Sequence, residues 1–562
     1  MIIQPIIDLA VICSKKGIKN VILSPGSRCA PITLAFARHP ELHCRTIADE
    51  RSAGFIALGM AQQLEKPVVL VCTSGSAALN YGPAVAEAFY QQIPLIVITA
   101  DRPDEWIDQW DGQTIRQENI YGRHVKSSHQ FPDEFSLPDK KWHAHRMTNE
   151  AINNAMSPPF GPVHINIPLR EPFYPGAGET FSYEHKINLF DELKVQPILT
   201  EDSKLQLKVS LEKYKRIMIV PGQQRPDQKI IEILDKIVRE KKGIVVSDII
   251  SNLQSENSIV HHEVFLQAID DHSTLFPDLI ISFGKSIISK TLKNLIRKSE
   301  ASHWHIQSSG YVPDTYQHLS RIIPASPLYL LSFLDEILLP TDPDFYSTWQ
   351  NAEKNIKHNF PDLMDKADFG EYKALYECLK HIPSPSKIHL ANSMPVRYAN
   401  FLGSRNFGKE IICNRGTSGI DGTNSTAIGC IFTTKEPVVL ITGDMAFFYD
   451  RNAFWHKYGL PNLRIILLNN HAGGIFRMIE GPSHLPELEE YFEISQTLNA
   501  GYLAQEHGFE YFRVDKENSL KEILPTFFHQ SVKAKILEIS SESNTNAMIL
   551  RRFKENVKDL FS

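Results

Sequence analysis

Residues Leu440–Phe476, LITGDMAFFYDRNAFWHKYGLPNLRIILLNNHAGGIF, contain two apolar runs that each end in polar side chains. The first run ends at Gly443-Asp444, the second ends at Asn469-Asn470, and a segment with helical character separates them. Asp444 and Asn470 are 470 − 444 = 26 positions apart, which suits one strand–helix–strand unit. Because neighbouring parallel strands end at the same edge of a sheet, we expect both side chains to lie close together there.

These residue types point to a metal and phosphate site. A carboxylate, an amide oxygen and a loop carbonyl form a hard oxygen site, which suits Mg²⁺ when phosphate oxygens complete its coordination. Gly443 would let the backbone approach a phosphate closely, and the start of the following helix would face it. The alternative is that Gly-Asp and Asn-Asn are turn residues that bind nothing. Two such pairs, one strand–helix–strand unit apart, favour the metal and diphosphate site.

Apolar runs of the same kind recur along the whole chain. They are β-branched and do not alternate with polar residues, which is typical of parallel strands covered on both faces. With helical segments between them, they predict an α/β fold of three doubly wound domains with mainly parallel sheets. Composition shifts predict domains at 1–180, 195–340 and 365–562. The runs are NVILSPGSR, PVVLVCTSGS, IPLIVITADRP, GPVHINIP, RIMIVPG, GIVVSD, DLIISFG, HWHIQSS, EIICNRG, PVVLITGD, NLRIILLNN and AKILEIS.

The composition excludes several classes of partner. The 562 residues carry a formal net charge of -6, so no basic excess indicates nucleic-acid binding. No run approaches the ~18 apolar residues that a membrane span needs. The seven cysteines are odd in number and lack CxxC spacing, which fits reduced thiols better than disulfides or a zinc site. The N-terminal segment lacks the basic start of a signal peptide, so we expect a cytoplasmic protein.

A second candidate site is the segment TIADERSAGFIALGMA, residues 46–61, which predicts the end of a strand followed by a helix. Glu50 lies at the start of this helix. It is either a solvated first-turn acid, which is common for dipole reasons, or a carboxylate with a function. The helix has one apolar face, formed by Ala53, Ile56, Ala57, Met60 and Ala61.

The Gly-Asp and Asn-Asn pairs together resemble the diphosphate-binding motif of thiamine diphosphate-dependent enzymes, and Glu50 resembles their cofactor-activating glutamate. Longer segments narrow this resemblance to the carboligases of menaquinone biosynthesis, and it covers essentially the whole chain. It implies a transferase that decarboxylates 2-oxoglutarate and adds the succinyl carbanion equivalent to isochorismate. The segments are SPGSRCAPITLA, ADERSAGFIALG, TSGSAALNYGPAVAEA, ITADRP, GQTIRQ, NRGTSGIDGTNSTAIG and GDMAFFYDRNAF.

The resemblance also implies where the cofactors bind. The three domains would be pyrimidine-binding, middle and diphosphate-binding, in that order. Ile420 would prop thiamine diphosphate into a bent form, although ordinary core packing is the alternative for this side chain. Mg²⁺, for which Mn²⁺ can substitute, would be held by Asp444, Asn470 and the backbone carbonyl of Ala472. The residues implied to contact thiamine diphosphate are Glu50, Ser393, Ile420, Asp444 and Asn470.

The two implied substrates each carry two carboxylates, and arginine is the side chain best suited to bind them. Any single arginine at a strand end could instead form a structural ion pair. The chain departs from the family at Thr291, where relatives can carry Arg, and at Gly112, where relatives carry a polar residue. The residues implied to contact substrate are Ser27, Arg28, Arg102, Gln113, Lys290, Ser393, Arg397, Arg415 and Ile475.

In this class of enzyme the cofactor lies between the first domain of one chain and the third domain of its partner. Glu50 and Asp444 would then act in trans, which implies at least a homodimer, and the family favours a tetramer. The nearest alternative is another thiamine diphosphate 2-oxoacid decarboxylase or an enzyme similar to acetolactate synthase. An alternative from a different class is a non-catalytic nucleotide- or flavin-binding protein, although no GxGxxG motif is present to support it.

Overall fold

The computed structural model describes residues 3–183, 186–403, 408–479 and 481–561. Within these residues the chain forms three parallel sheets, one after another along the sequence, each flanked by helices. This confirms the predicted α/β fold with doubly wound, parallel sheets. Among the described helices, none combines the length and the apolar character that crossing a bilayer requires.

The first unit is built around a parallel sheet near the N-terminus. Its strands are β1 (Asn20–Leu23), β2 (His43–Thr46), β3 (Val68–Cys72), β4 (Leu95–Asp101), β5 (Ser128–Gln130) and β6 (Val163–Pro168), in the order β2-β1-β3-β4-β6-β5. Its helices are α1 (Gln4–Lys15), α2 (Ala30–Ala37), α3 (Glu50–Leu64), α4 (Ser76–Asn80), α5 (Gly82–Gln91) and α6 (Pro138–Met156).

The middle unit has its own parallel sheet, and a long helix leads from it to the third unit. Its strands are β7 (Ile217–Pro221), β8 (Ile244–Val245), β9 (Leu279–Phe283), β10 (Ser302–Ile306) and β11 (Leu319–Ile323), in the order β11-β10-β9-β7-β8. Its helices are α7 (Glu201–Leu211), α8 (Gln228–Arg239), α9 (His262–Phe265), α10 (Lys290–Lys298) and α11 (Pro327–Ile337), followed by the connecting helix α12 (Pro343–Lys366).

The third unit repeats the strand order of the first. Its strands are β12 (Ser386–Leu390), β13 (Lys409–Ile412), β14 (Val438–Gly443), β15 (Leu463–Asn469), β16 (Glu510–Val514) and β17 (Lys535–Ser540), in the order β13-β12-β14-β15-β17-β16. Its helices are α13 (Glu371–His381), α14 (Met394–Phe401), α15 (Thr423–Ile431), α16 (Asp444–Tyr449), α17 (Ile475–Met478), α18 (Gly501–His507), α19 (Glu517–Phe528) and α20 (Ser543–Asp559).

The helix after Asp444 is shorter than the sequence predicts. The pattern indicates a helix that continues to about Gly459, whereas α16 ends at Tyr449. The next side chain, Asp450, is buried and accepts hydrogen bonds from the backbone N–H (2.7 Å) and the hydroxyl (2.8 Å) of Ser425. Asp450 thereby supplies an acceptor to the first turn of α15, and the chain leaves the path of α16 at this point.

The first and third units pack on each other through a crossing of α3 and α15. A Cβ atom added at Gly59 of α3 would lie 2.1 Å from the carbonyl oxygen of Thr426, and one added at Gly429 of α15 would lie 2.1 Å from the carbonyl oxygen of Ile56. The two helices therefore touch backbone to backbone, which only glycine permits. Because Glu50 is the first residue of α3, this crossing also fixes where that carboxylate lies.

We expect Gly59→Ala to lower the midpoint of thermal unfolding, because its methyl group would overlap the Thr426 carbonyl and destabilise the fold by about 3 kcal/mol. Gly82→Ala is the matched control, since a Cβ at Gly82 would meet no atom within 4 Å. Calorimetric or circular-dichroism melts of both variants would check this. Equal midpoints would show that the helix crossing is not tightly packed.

Candidate active site

Asp444 lies where β14 and β15 end side by side. Gly443, the last residue of β14, pairs with Leu468 of β15, so Asp444 follows the sheet edge directly. The Asp444 carboxylate is 2% exposed and accepts hydrogen bonds from the backbone N–H of Met445 (2.9 Å) and from Nε2 of Gln496 (2.7 Å). Burial raises the pKa of Asp444 to about 6. Among the described residues no Lys, Arg or His forms an ion pair with it, so this carboxylate favours binding a cation.

Asn470, directly after β15, is oriented by its neighbours. Its amide Nδ2 donates to Oε1 of Glu371 (2.8 Å), and its Oδ1 accepts from the backbone N–H of Ala472 (3.0 Å). Burial, followed by the charge of Asp444, raises the pKa of Glu371 to about 8. The amide oxygen of Asn470 is thereby assigned and held at the same sheet edge as Asp444.

These residues fit a magnesium ion that carries a diphosphate. The carboxylate of Asp444, the amide oxygen of Asn470 and the carbonyl of Ala472 are hard oxygen donors of the kind Mg²⁺ prefers. Within the described part of the chain, no group of three His, Cys, Asp or Glu side chains could hold a metal ion. Oxygens of a bound ligand would therefore have to complete the coordination of a Mg²⁺ ion at Asp444 and Asn470. A Cβ added at Gly443 would meet no atom within 4 Å, which leaves the backbone there open to a phosphate.

At the start of α3, the side chains on both sides of Glu50 form hydrogen bonds, whereas that of Glu50 forms none to another described residue. Asp49 accepts from the Ser52 N–H (2.9 Å) and from Nδ2 of Asn452 (2.7 Å), whereas Arg51 donates to the carbonyl of Tyr449 (2.8 Å). The half-buried Glu50 side chain has no hydrogen bond to any other described residue. Its charge contributes to the raised pKa values of Cys29, Cys72 and Tyr81, after burial as the main cause. The Glu50 carboxylate therefore lies near Cys29, Cys72 and Tyr81 of the first unit.

Two predicted substrate arginines lie together in the first unit. Arg28 is buried, and its guanidinium stacks 4.8 Å from the ring centre of Phe173. Burial, followed by the positive charge of Arg102, lowers the pKa of Arg28, which shows that the two groups are close. Arg102 itself forms an ion pair with Asp111 (2.8 Å) and donates to the carbonyl of Gly112 (3.0 Å). The structural ion pair that the sequence left open for a strand-end arginine is therefore present at Arg102.

Two more predicted arginines converge in the third unit. Arg397 donates from Nη1 to the carbonyl of Ser393 (2.7 Å), and Arg415 donates from Nη1 to Oδ1 of Asn392 (2.9 Å). Burial, followed by the charge of Arg415, lowers the pKa of Arg397. Among the described residues neither guanidinium forms an ion pair with a carboxylate. Neither guanidinium is therefore paired directly with a carboxylate, although the nearby charge of Glu263 acts on Arg397. Two such guanidinium groups suit a carboxylate ligand.

The remaining predicted residues are placed as follows. Lys290 is the exposed first residue of α10 and makes no described hydrogen bond to the other predicted residues, whereas its neighbour Thr291 donates to Glu263 (2.9 Å). No hydrogen bond or ion pair between described residues joins the first-unit candidates to Asp444 or Asn470. Ser27 is exposed after β1, Gln113 is exposed with φ 56°, and the half-buried Ile420 and Ile475 lie before α15 and at the start of α17.

Sequence reasoning missed the side chains that orient these candidates. Gln496 holds Asp444, Glu371 holds Asn470, and Asn392 donates from Nδ2 to the carbonyls of Asn414 and Gly419 (both 2.7 Å). The first two do not directly follow a strand, and no motif marks them. Asn392, in contrast, comes two residues after β12, so its place beyond a strand end was a signal that could have found it.

Comparison with known proteins decides the family. Residues 8–120 match the family described as thiamine pyrophosphate enzyme, N-terminal TPP binding domain, and residues 394–538 match the corresponding C-terminal TPP binding domain. A protein of Cytophaga hutchinsonii named 2-succinyl-5-enolpyruvyl-6-hydroxy-3-cyclohexene-1-carboxylate synthase is 46% identical over 567 residues, which cover 99% of this chain and 100% of that protein. The chain belongs to this synthase family.

Two further synthases bearing the same name support the assignment. The protein of Porphyromonas gingivalis is 38% identical over 96% of this chain and 94% of its own length. The protein of Flavobacterium johnsoniae is 38% identical over 97% of both chains. The resemblance inferred from the motifs is thus confirmed. The chain is a thiamine diphosphate-dependent enzyme of the transferase type that works with a divalent metal such as Mg²⁺.

We expect Gln496→Ala to raise the Mg²⁺ concentration needed for half-maximal thiamine diphosphate binding roughly 10- to 100-fold, because side chains that orient a ligand contribute about this much to metal affinity. Titration calorimetry with Mg²⁺ and thiamine diphosphate would measure it. Gln505→Ala, which alters an exposed glutamine of α18, is the control and should bind as the unmodified protein does. Identical Mg²⁺ titrations for the two variants would remove Gln496 from the metal site.

Proposed function

We propose that this synthase removes CO2 from 2-oxoglutarate and adds the remaining four-carbon succinyl unit to isochorismate. The products are CO2 and 2-succinyl-5-enolpyruvyl-6-hydroxy-3-cyclohexene-1-carboxylate, an intermediate for menaquinone. The observation that carries this proposal is that two guanidinium groups without a described ion-pair partner, Arg397 and Arg415, lie in the same unit as the Asp444 and Asn470 edge. Each substrate is a dicarboxylate, and paired arginines suit such ligands.

The cofactor half of the site combines residues from two units. When bound, thiamine diphosphate supplies the electron sink that lets a 2-oxoacid lose CO2 and react as a nucleophile at its former carbonyl carbon. Asp444, Asn470 and the Ala472 carbonyl would hold the Mg²⁺ that carries its diphosphate. Glu50 would share a proton with the pyrimidine nitrogen remote from the thiazolium, and Ile420 would support the bent shape of the cofactor. The absence of another described partner for Glu50 supports its role.

The substrate half would divide between the two dicarboxylates. We assign Arg397, together with Ser393, to the carboxylate at the far end of the succinyl unit, because Arg397 already lies against the backbone of Ser393. Arg415 and Ile475 would line the pocket between the substrates, and Lys290 would reach it from the middle unit. The side chains assigned to isochorismate are Ser27, Arg28, Arg102 and Gln113, all of which lie in the first unit.

We propose further that the active site forms between two copies of the chain. Within one chain, Glu50 lies near Cys29 and Cys72 of the first unit, and no described contact links it to Asp444. A symmetric dimer would bring Glu50 of one copy to Asp444 of the other, and two such dimers would form the tetramer that the family favours. The three sheets support pyrimidine-binding, middle and diphosphate-binding domains at 1–180, 195–340 and 365–562.

A cytoplasmic location completes the proposal. All seven cysteines are free thiols, which suits a reducing compartment. Fractionation of cells that produce the protein would test this location, and recovery from a membrane or secreted fraction would contradict it.

The reaction is tested by supplying 2-oxoglutarate and isochorismate with thiamine diphosphate and Mg²⁺. We expect the adduct and CO2 in equal amounts, with no turnover when the cofactor is left out. Pyruvate is the control substrate, because it lacks the second carboxylate of 2-oxoglutarate, which we assign to Arg397 and Ser393. Turnover of pyruvate without any isochorismate adduct would instead indicate an acetolactate synthase or another 2-oxoacid decarboxylase.

Glu50→Gln should lower turnover roughly 10²- to 10⁴-fold, because the amide cannot share a proton with the pyrimidine as a carboxylic acid does. Its affinity for thiamine diphosphate, measured by calorimetry, should stay within a few fold. Glu201→Gln changes an exposed first-turn acid of α7 and serves as the control. Full turnover by Glu50→Gln would remove Glu50 from the mechanism.

Mixed dimers would test whether Glu50 and Asp444 act in trans. We expect Glu50→Gln and Asp444→Asn chains each to have little activity on their own, whereas a heterodimer of the two would contain one site with both residues intact. Co-production in equal amounts should therefore restore about a quarter of normal turnover, as expected for random pairing in a two-fold dimer. No recovery from mixed chains that form dimers would place both residues of a site in one chain.

A further inference from the structure

The loop that carries Arg415 and Ile420 is held by a buried carboxylate from the first unit. Glu87 of α5 is 1% exposed, and its Oε1 accepts the backbone N–H of Gly416 at 2.8 Å. Its Oε2 accepts both the backbone N–H and the hydroxyl of Thr417, each at 2.6 Å. One carboxylate therefore binds two consecutive backbone N–H groups directly after Arg415.

The loop also lies in close contact with α5 itself. A Cβ atom added at Gly416 would lie 2.7 Å from the carbonyl oxygen of Glu87 and 3.1 Å from the backbone nitrogen of Gln91. Gln91 donates from Nε2 to Oε1 of Glu87 (2.6 Å) and to the carbonyl of Cys413 (3.3 Å). The chain is thus attached on both sides of Arg415, at Cys413 and at Gly416.

The middle unit contacts the same loop. Gln223, at the end of β7, donates from Nε2 to the carbonyl of Cys413 at 2.7 Å. Lys285, which follows β9, donates from Nζ to the carbonyl of Gln91. All three units therefore meet at this short segment, and Glu87 accepts three of the hydrogen bonds that hold it.

We propose that Glu87 is a positioning residue of the active site. By holding the loop, it fixes the orientation of Arg415 and the position of Ile420 relative to the third sheet. The inference rests on the proposed substrate and cofactor roles of those two residues. Glu87 fixes the backbone directly after Arg415, and Asn392 accepts from the Arg415 guanidinium, so this side chain has little freedom left. Such pre-organisation is what a fork of two hydrogen bonds to a carboxylate requires.

A carboxylate is needed at position 87 because both of its oxygens accept. In Glu87→Gln one of the two acceptors becomes an NH2 group, which must then face an N–H or the Gln91 amide donor. The isosteric change keeps the volume of the side chain and removes half of the acceptor set, so it loosens the loop without opening a cavity.

We expect Glu87→Gln to raise the KM for 2-oxoglutarate or isochorismate roughly 10- to 100-fold, with a smaller change in kcat. In the same variant, hydrogen–deuterium exchange of the amides in residues 415–420 should accelerate even without ligands. Glu353→Gln is the matched control. Glu353 is likewise a buried carboxylate that accepts two consecutive backbone N–H groups, those of Val260 (3.1 Å) and His261 (2.9 Å), but it holds a segment of the middle unit.

Unchanged KM values and unchanged exchange of residues 415–420 in Glu87→Gln would overturn the inference, as would an equal rise in KM in Glu353→Gln. If Glu87→Gln does not fold, Thr417→Val removes one donor to the same carboxylate and should show a smaller shift in the same direction. If the unmodified protein does not join the two substrates, the proposed function fails on its own. Loop exchange together with thiamine diphosphate affinity, measured by calorimetry, would then still decide the role of Glu87.

Discussion

The rest of the structure depends on the backbone contact between α3 and α15. At Gly59 and Gly429 each helix occupies the space that a side chain would need on the other. Such contacts prevent the two helices from sliding or rotating against each other. The start of α3 and the loop before α15 are therefore fixed in position relative to each other. Glu50 is at the start of α3, and Ile420 is in the loop before α15. A steric requirement inside one chain thus determines how it presents Glu50 and Ile420, both of which we propose as active-site residues.

Burial has opposite consequences at the two charged parts of the site. Asp444 and Glu371 are carboxylates in a buried environment, and both would be easier to keep protonated than in water. Arg397 and Arg415 are cations in a confined space without a described carboxylate partner. A metal ion would relieve the first imbalance and substrate carboxylates the second. The free protein therefore holds its charges in an arrangement that its ligands complete.

Much of the fold could be predicted because its central strands are covered on both faces. The strands β5, β11 and β16 escaped prediction, and all three lie at sheet edges, where half-exposed positions admit polar residues. The strand β12 was missed although it is internal. It contains Lys387 and His389, and the ion pair of Lys387 with Glu410 (2.7 Å) allows this charge within the sheet. Tertiary contacts of this kind leave no pattern in the local sequence.

The site was predictable to the extent that its residues follow strands. Asp444 and Asn470 directly follow β14 and β15, so their convergence could be inferred from spacing alone. The roles of Glu50 and the arginines needed a resemblance, because a first-turn acid or a strand-end arginine has a common structural explanation. Gln496, Glu371 and Glu87 form hydrogen bonds to residues that are distant in the chain. These contacts become apparent only in the folded structure.

In the ion pair between Arg102 and Asp111, a carboxylate of the protein itself binds the guanidinium in the way that a ligand carboxylate would. A substrate carboxylate bound to Arg102 as we propose would replace the Asp111 carboxylate, so one charge pair would be exchanged for another of the same kind. Such an exchange gains little electrostatic free energy by itself. Its main effect is that the exposed segment around Asp111 loses its ion pair to Arg102. Selectivity at this position would then depend on the shape of the incoming acid rather than on its charge, because a carboxylate of the protein already pairs with the arginine.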